Sequence, residues 1–475
     1  IRRQRQMCIR DRHYIGDVGA KTRTRKLFDY LTDDQLQWAP MDDEYDRFYV
    51  GDKVFNAVAG KSEFRDNLVA QFPAEEQAID RYLELLAQVG GALSMFGMAR
   101  VLKPWQKTVA GPYLKWKTPD FIYRNTYDVL SELTDDQDLI AVICGQWGDM
   151  GLPPRQSVFM VHAMIARHYL YGGYYPIGGS WKIADYIIPK IQAAGGEVFT
   201  YANVEEILVD DGRVKGVRMS DEHVIECPVV ISSAGVDNTF GHLLPAEVVS
   251  ATGYDRAIRN VRPSIGHLCL YIGLKGTAEE LGLPKTNFWI YPHNDYDKAV
   301  ADFRADPAAP FPVVYVSFPS AKDPEYLKRH PGTATIEIVA PAPYEQFEQW
   351  KGTIWGKRGE DYESLKSDLS ERLLEHLYDK LPELRGRIDY FELSTPLSTE
   401  WFSAYRHGEL YGLDHTPERL QEDWLTPRTK IPGLWLTGQD ILTCGVTGAM
   451  MAGLLTVTAM AGAKKIGPLM KRIYS

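Results

Sequence analysis

The segment "IPGLWLTGQDILTCGVTGAMMAGLLTVTAMAG", residues 431–462, constrains this 475-residue chain more than any other. A short apolar run, "LWLTG", leads through a turn into a helix-length stretch dominated by Gly, Ala and Thr. Gly438, Gly445 and Gly448 permit close backbone approach. The free N–H groups and dipole at the start of such a helix favour an anionic group. A strand–turn–helix unit of this kind predicts an α/β fold with a buried helix beginning at a ligand. Cys444–Lys465 has the roughly 20 residues of a membrane span, but its small residues fit a helix packed inside a domain better.

A second region of the same texture spans residues 172–238. "YYPIGGSWKIADYIIPKI" reads as a glycine turn at Gly178 and Gly179, then a helix with Ser180 as its N-cap. "EVFTYANVEEILVDDGRVKGVRM" reads as two β-type runs around a "DDG" hairpin turn. "CPVVISSAG" reads as a buried strand ending in small residues. Residues 62–141 are mostly helical by apolar spacing. Residues 262–402 are dominated by strand-like runs, interrupted by an amphipathic helix near Tyr362–Leu381. The expected architecture is therefore an α/β, Rossmann-like domain assembled from residues 13–45, 155–245 and 425–470. A helical lid over 46–154 and a mixed-sheet substrate domain over 246–424 are inserted in it.

Composition removes several functions. A net charge of -10 makes nucleic acid, whose phosphates need a basic face, a poor partner. The five cysteines are scattered without C-x-x-C spacing, so neither a metal site nor a disulfide framework is expected. Their use mildly favours a reducing compartment. An aromatic content of 12% suits an apolar ligand pocket, although core packing is the commoner use. The strand–turn–helix fingerprint G-x-G-x-x-G with its downstream acid occurs nowhere in the chain in the right context.

"HYIGDVG", "WGDMGLPP", "GGYYPIGGS", the 195–235 segment, "GELYGLDHTPERL" and "LWLTGQDILTCGVTGAMMAG" together resemble the retinol saturases, in the phytoene desaturase branch of the FAD-dependent amine-oxidase-like flavoproteins. The resemblance covers nearly all of residues 13–470. It implies FAD as cofactor, with Gly438, Gln439, Asp440, Val446 and Thr447 at the ribityl and pyrophosphate. It further implies Val204 at the adenine, Ser233 and Ala234 near the diphosphate, and Gly178 and Gly179 beside the flavin ring. The implied chemistry acts on a C=C bond of a lipophilic polyene: saturation, or alternatively desaturation or cis–trans isomerisation. A non-catalytic lipid-binding relative is the reading from another class. NAD(P)H as electron donor has no residue pattern behind it. His13, Tyr14, Asp414 and His415 are the candidate acid–base groups, and none has a pattern that singles it out. A lipid substrate suggests peripheral membrane contact through residues 62–141, where "MFGMARVLKPW" mixes apolar, basic and aromatic side chains. A cytoplasmic or membrane-peripheral location follows, and oligomeric state is open.

The family begins with a glycine-rich βαβ unit, which takes roughly 30 residues or more, so that unit is expected to be missing and FAD binding impaired. The first twelve residues, "IRRQRQMCIRDR", carry five arginines. One coding of "MCIRDR" resembles the transposon end used to fragment DNA for sequencing libraries. Residues 1–12 are accordingly expected to be non-native and to carry no functional weight.

Overall fold

The computed structural model describes residues 13–474; the reading of residues 1–12 as non-native lies outside them. A seven-stranded sheet forms the largest element. Its strands in chain order are β1 (Glu44–Val50), β2 (Lys53–Val58), β3 (Gly266–Lys275), β4 (Asn287–Tyr291), β5 (Val314–Ser317), β6 (Thr333–Ala342) and β7 (Ile388–Ser394). They lie in the order β7-β3-β6-β5-β4-β1-β2. Only β4 and β1 pair parallel; the other neighbours are antiparallel. Residues 44–58, assigned from sequence to the flavin segment and the helical region, are thus two strands of this sheet. The helices of that region begin only at Lys61.

Side chains alternate across a strand, and here the two faces differ in kind. Leu268, Leu270, Ile272 and Leu274 of β3 share one face with Ile336, Ile338 and Ala340 of β6. The helix Glu360–Lys380 covers that face through Leu369, Leu373 and Leu377. Each such buried aliphatic side chain contributes about 1.5–3 kcal/mol. The alternate positions present His267, Tyr271, Trp289, Tyr315, Ser317 and Glu337 to the opposite side. Register places Trp289 against Tyr315, and Glu337 between Tyr271 and Ser317.

Facing that polar–aromatic side is the helical region. Helix α1 (Glu76–Val101) runs on through Gly90 and Gly91 because Ile79, Tyr82, Leu83, Leu86 and Val89 bury one face. It packs on the helix Phe159–Tyr169, where the Tyr82 hydroxyl lies 3.0 Å from His162 Nε2. Helix α2 (Pro104–Lys117) follows.

The remaining domain holds the predicted hairpin, Val204–Asp210 against Arg213–Met219. Asp211 and Gly212 both have positive φ, as a type I′ turn requires. Val230–Ser232 and Leu434–Leu436 form a parallel pair. The first of these was expected to be a buried strand, yet Ile231 is 47% exposed. It has one hydrogen-bonded strand neighbour among the described residues. The β-type run at residues 197–201 forms no strand and leaves Phe199 and Tyr201 exposed. Helix α3 (Gly445–Ala461) buries Ala452 in the core beneath the parallel pair. Among the described residues no helix is long and apolar enough to cross a membrane.

Candidate active site

The glycine-rich C-terminal block meets the rest of the molecule through its turn. Gly438 has φ 92°, which turns the chain out of the Leu434–Leu436 strand toward Ser233. No side chain caps the N-terminus of α3, and a Cβ built on Gly445 meets only open space. Thr447 Oγ1 is buried without a hydrogen-bond partner. A buried hydroxyl left this way costs about 1–3 kcal/mol, so the site suits a polar group arriving from outside the chain. Val446 packs with Met450 against Ile15 and Val18.

Asp440 holds the turn. Its carboxylate accepts the backbone N–H of Val236 at 2.8 Å and of Leu413 at 3.1 Å. Burial pushes its pKa up, against the pull of Arg419 and these two bonds. Gln439 instead donates to the Tyr405 hydroxyl at 3.0 Å. The Arg419 guanidinium binds the carbonyls of Leu413, Gln439 and Asp440. A small cavity opens here, lined by Gly235, Tyr405, Glu409, Gly412 and Asp440. Burial raises Glu409 to about 7.

A second polar cluster lies under the aromatic face of the sheet. The Tyr14 hydroxyl donates to Asp46 Oδ2 at 2.9 Å. Gln146 donates to the same oxygen at 2.7 Å, and Asn287 donates to Oδ1 at 2.8 Å. Asp46 is fully buried, and burial raises it to about 6 despite these donors. Lys322, also buried, donates to Asn287 Oδ1, to Ser317 Oγ at 2.6 Å and to the carbonyl of His13 at 2.9 Å. Tyr14 stacks on Tyr169 with ring centroids 4.2 Å apart. Asp149 borders this cluster: Oδ2 is buried without a partner, although the residue retains accessible surface. Burial, and then the charge of Asp46, hold Asp149 well above the ordinary carboxylate range. Cys444, the residue before α3, reaches the Asp149 carbonyl with its Sγ at 3.3 Å.

The sequence candidates divide. His13 and Tyr14 sit at this cluster, with His13 Nδ1 3.2 Å from Glu337. Asp414 and His415 lie on the other side of the turn. Thr416 caps the helix Pro417–Gln421. His415 Nε2 accepts the Cys444 N–H at 3.2 Å, and burial holds its pKa well below the usual value. Burial thus favours its neutral form, and its ring nitrogen fixes the turn before α3. Asp414, raised to about 6 by burial, lies 3.5 Å from Arg262. Ser233 and Ala234 are exposed beside Gly438, and Val204 opens the hairpin sheet. Gly178 and Gly179 have φ of 90° and 98°, and Gly178 N–H donates to Asp323 at 3.0 Å. Ser180 does not cap the helix that follows, whose first residue is Lys182 after Trp181. Asp46, Gln146, Asp149 and Lys322 were missed. The only sequence signal near them was "WGDMGLPP", which carried resemblance but no assigned chemistry.

No protein-family model matches the chain. It is 35% identical over 467 residues to the all-trans-retinol 13,14-reductase of Macaca fascicularis, covering 94% of this chain and 77% of that protein. It is 24% identical to the neurosporene-forming phytoene desaturase of Rhodobacter capsulatus, covering 91% of this chain and 81% of that one. In fold it is similar to a putrescine oxidase double mutant, with a TM-score of 0.56 at 14% identity, covering 94% and 88% of the two chains. The mixed α/β architecture is thus that of a known oxidase, and the sequence carries the closer relation: the chain belongs to the all-trans-retinol 13,14-reductase family of oxidoreductases.

Proposed function

We propose that this chain is a FAD-dependent oxidoreductase that saturates a C=C bond of a retinoid- or carotenoid-like polyene. The observation that carries the cofactor is the uncapped start of α3. There Thr447 Oγ1 is buried without a partner, and the Cβ position of Gly445 opens on empty space. A flavin edge would satisfy both the hydroxyl and the helix N–H groups. Gly438, Gln439, Asp440, Val446 and Thr447 would hold it, with Gly178 and Gly179 beside the ring, Ser233 and Ala234 nearer the diphosphate, and Val204 toward the adenine. Bound and reduced, the flavin supplies a hydride. The chain's own part is to exclude water, hold the polyene, and move one proton.

The test is to load the purified chain with FAD, reduce it with dithionite and offer all-trans-retinol and a carotenoid. A product two mass units heavier by mass spectrometry is expected; no mass change sinks saturation. A lighter product from oxidised enzyme establishes desaturation instead, and an isomer of equal mass establishes isomerisation.

We further propose that FAD binds weakly to this chain as written, because no G-x-G-x-x-G fingerprint stands in context and the parallel strand pair is open beside Ile231. Near-stoichiometric flavin after purification contradicts this. Peripheral membrane contact is the partner we propose, through α2. Trp105, Val109, Tyr113 and Trp116 recur along one face, and each is between 59% and 75% exposed. Lys103, Lys107 and Lys117 flank them, a composition suited to an anionic lipid interface.

A further inference from the structure

We propose that Asp149 is the acid that protonates the polyene during reduction. This rests on the saturation reading above. Saturation breaks the π bond and forms two C–H bonds. Reduced flavin, when bound, would supply the electron pair as hydride to one carbon, and the neighbouring carbon would take a proton. That proton needs a donor that is neutral before the step and reaches accessible space among buried groups.

Three alternatives are committed elsewhere, and a fourth is a poor acid. The Tyr14 hydroxyl is donated to Asp46. His13 faces Glu337. His415 Nε2 receives the Cys444 N–H. Tyr315 has no well-formed hydrogen bond, but burial drives this phenol well above its usual pKa, making it a poor acid. Asp149 alone combines three properties. Its Oδ2 is buried and unpartnered, the residue as a whole is only part-buried, and its carbonyl touches Cys444 at the mouth of α3. Burial and the adjacent Asp46 charge favour its protonated form, and an ordinary carboxylic acid is a stronger acid than a phenol. After transfer it is a carboxylate beside Asp46, and this repulsion favours its reprotonation from solvent before the next turnover.

The test uses Asp149→Asn and Asp149→Glu. Infrared difference spectra of the chain at pH 7 should show a protonated-carboxyl stretch that shifts in D₂O and is lost in Asp149→Asn. This measurement needs neither flavin nor turnover. In the flavin-loaded chain, Asp149→Asn should slow polyene saturation by about 10²–10⁴-fold while dithionite reduction of the flavin is unchanged. Asp149→Glu should restore part of the rate. A wild-type rate in Asp149→Asn, or no carboxyl band lost on that substitution, overturns the proposal. Absence of any saturation by the parent chain defeats the functional reading instead, and the infrared band still decides whether Asp149 is held neutral. If Asp149→Asn does not fold, the Asp149→Glu rate and the parent band carry the test: a parent without the band overturns the proposal.

Discussion

Glu409 shows how a single carboxyl records its surroundings. It is 4% exposed, receives one backbone N–H from His407 at 2.8 Å, and sits with Asp440 on the same small cavity. Burial raises it to about 7, above the roughly 4.3 of an unfolded glutamate. Between those values the folded chain binds more protons than the unfolded one, so this group's contribution to stability falls as pH rises, and flattens above 7. Glu409→Gln removes the effect. Relative to the parent, the variant should gain on the order of 2 kcal/mol between pH 5 and pH 8. Urea unfolding at both pH values measures this, and identical pH dependence in the two proteins would sink it. Tyr14→Phe acts on the other cluster. It removes one of three donors to Asp46, leaves the packing against Tyr169, and should cost about 1–3 kcal/mol, read from the urea midpoint; an unchanged midpoint would show the bond to be dispensable. Neither carboxylate cluster was legible in the sequence. Tyr14, Asp46, Gln146 and Asn287 lie in four separate segments, and only the fold makes them neighbours. Tyr14 stands out only through the resemblance, which puts its segment close to the cofactor; nothing local reveals its partner.

Elements were more legible than sites, where local chemistry alone decides them. The "DDG" turn needed two positive-φ residues and has them. The Glu360–Lys380 helix follows its apolar spacing within two residues of expectation. The run at residues 197–201 failed because β-propensity expresses itself only against a neighbouring strand, and none of the described strands lies beside it. Glycine in α3 has a definite role at one place: a Cβ on Gly448 would stand 2.3 Å from the carbonyl oxygen of Thr443. Gly448→Ala should therefore lower stability by about 1–3 kcal/mol by driving the first turn of the helix away from the Thr443–Cys444 backbone. Loss of flavin affinity should accompany it. A thermal melt and a flavin titration check both, and a variant as stable as the parent would mean the turn yields freely. On α2, Trp105→Ser combined with Trp116→Ser should weaken co-sedimentation with phosphatidylserine vesicles several-fold without changing the melting temperature, since both rings are exposed. Equal sedimentation of parent and variant would remove the membrane contact from this helix.

Across the whole molecule, the succession of helical, strand-rich and glycine-rich segments could be read from texture, but the seams between them could not. Strands β1 and β2 lie next to the helical region in sequence, yet β1 closes the sheet by pairing parallel with β4. That pairing depends on partners more than two hundred residues away, and no window on the sequence reveals it. The same separation governs the parallel pair, in which Val230 waits for Leu434, and Asp440, which ties Val236 and Leu413 together. A ribosome releases the chain from one end. The seven-stranded sheet has all its strands once residue 394 has emerged. The domain carrying the hairpin stays unfinished until Leu434–Leu436 and the turn after it are free, with one strand edge and the loop after it lacking their partners. Synthesis thus delivers an inner module first and its surrounding domain last. A nascent chain stalled short of Leu434 would present Val230–Ser232 and the Asp440 anchoring points uncovered, a form suited to capture by chaperones.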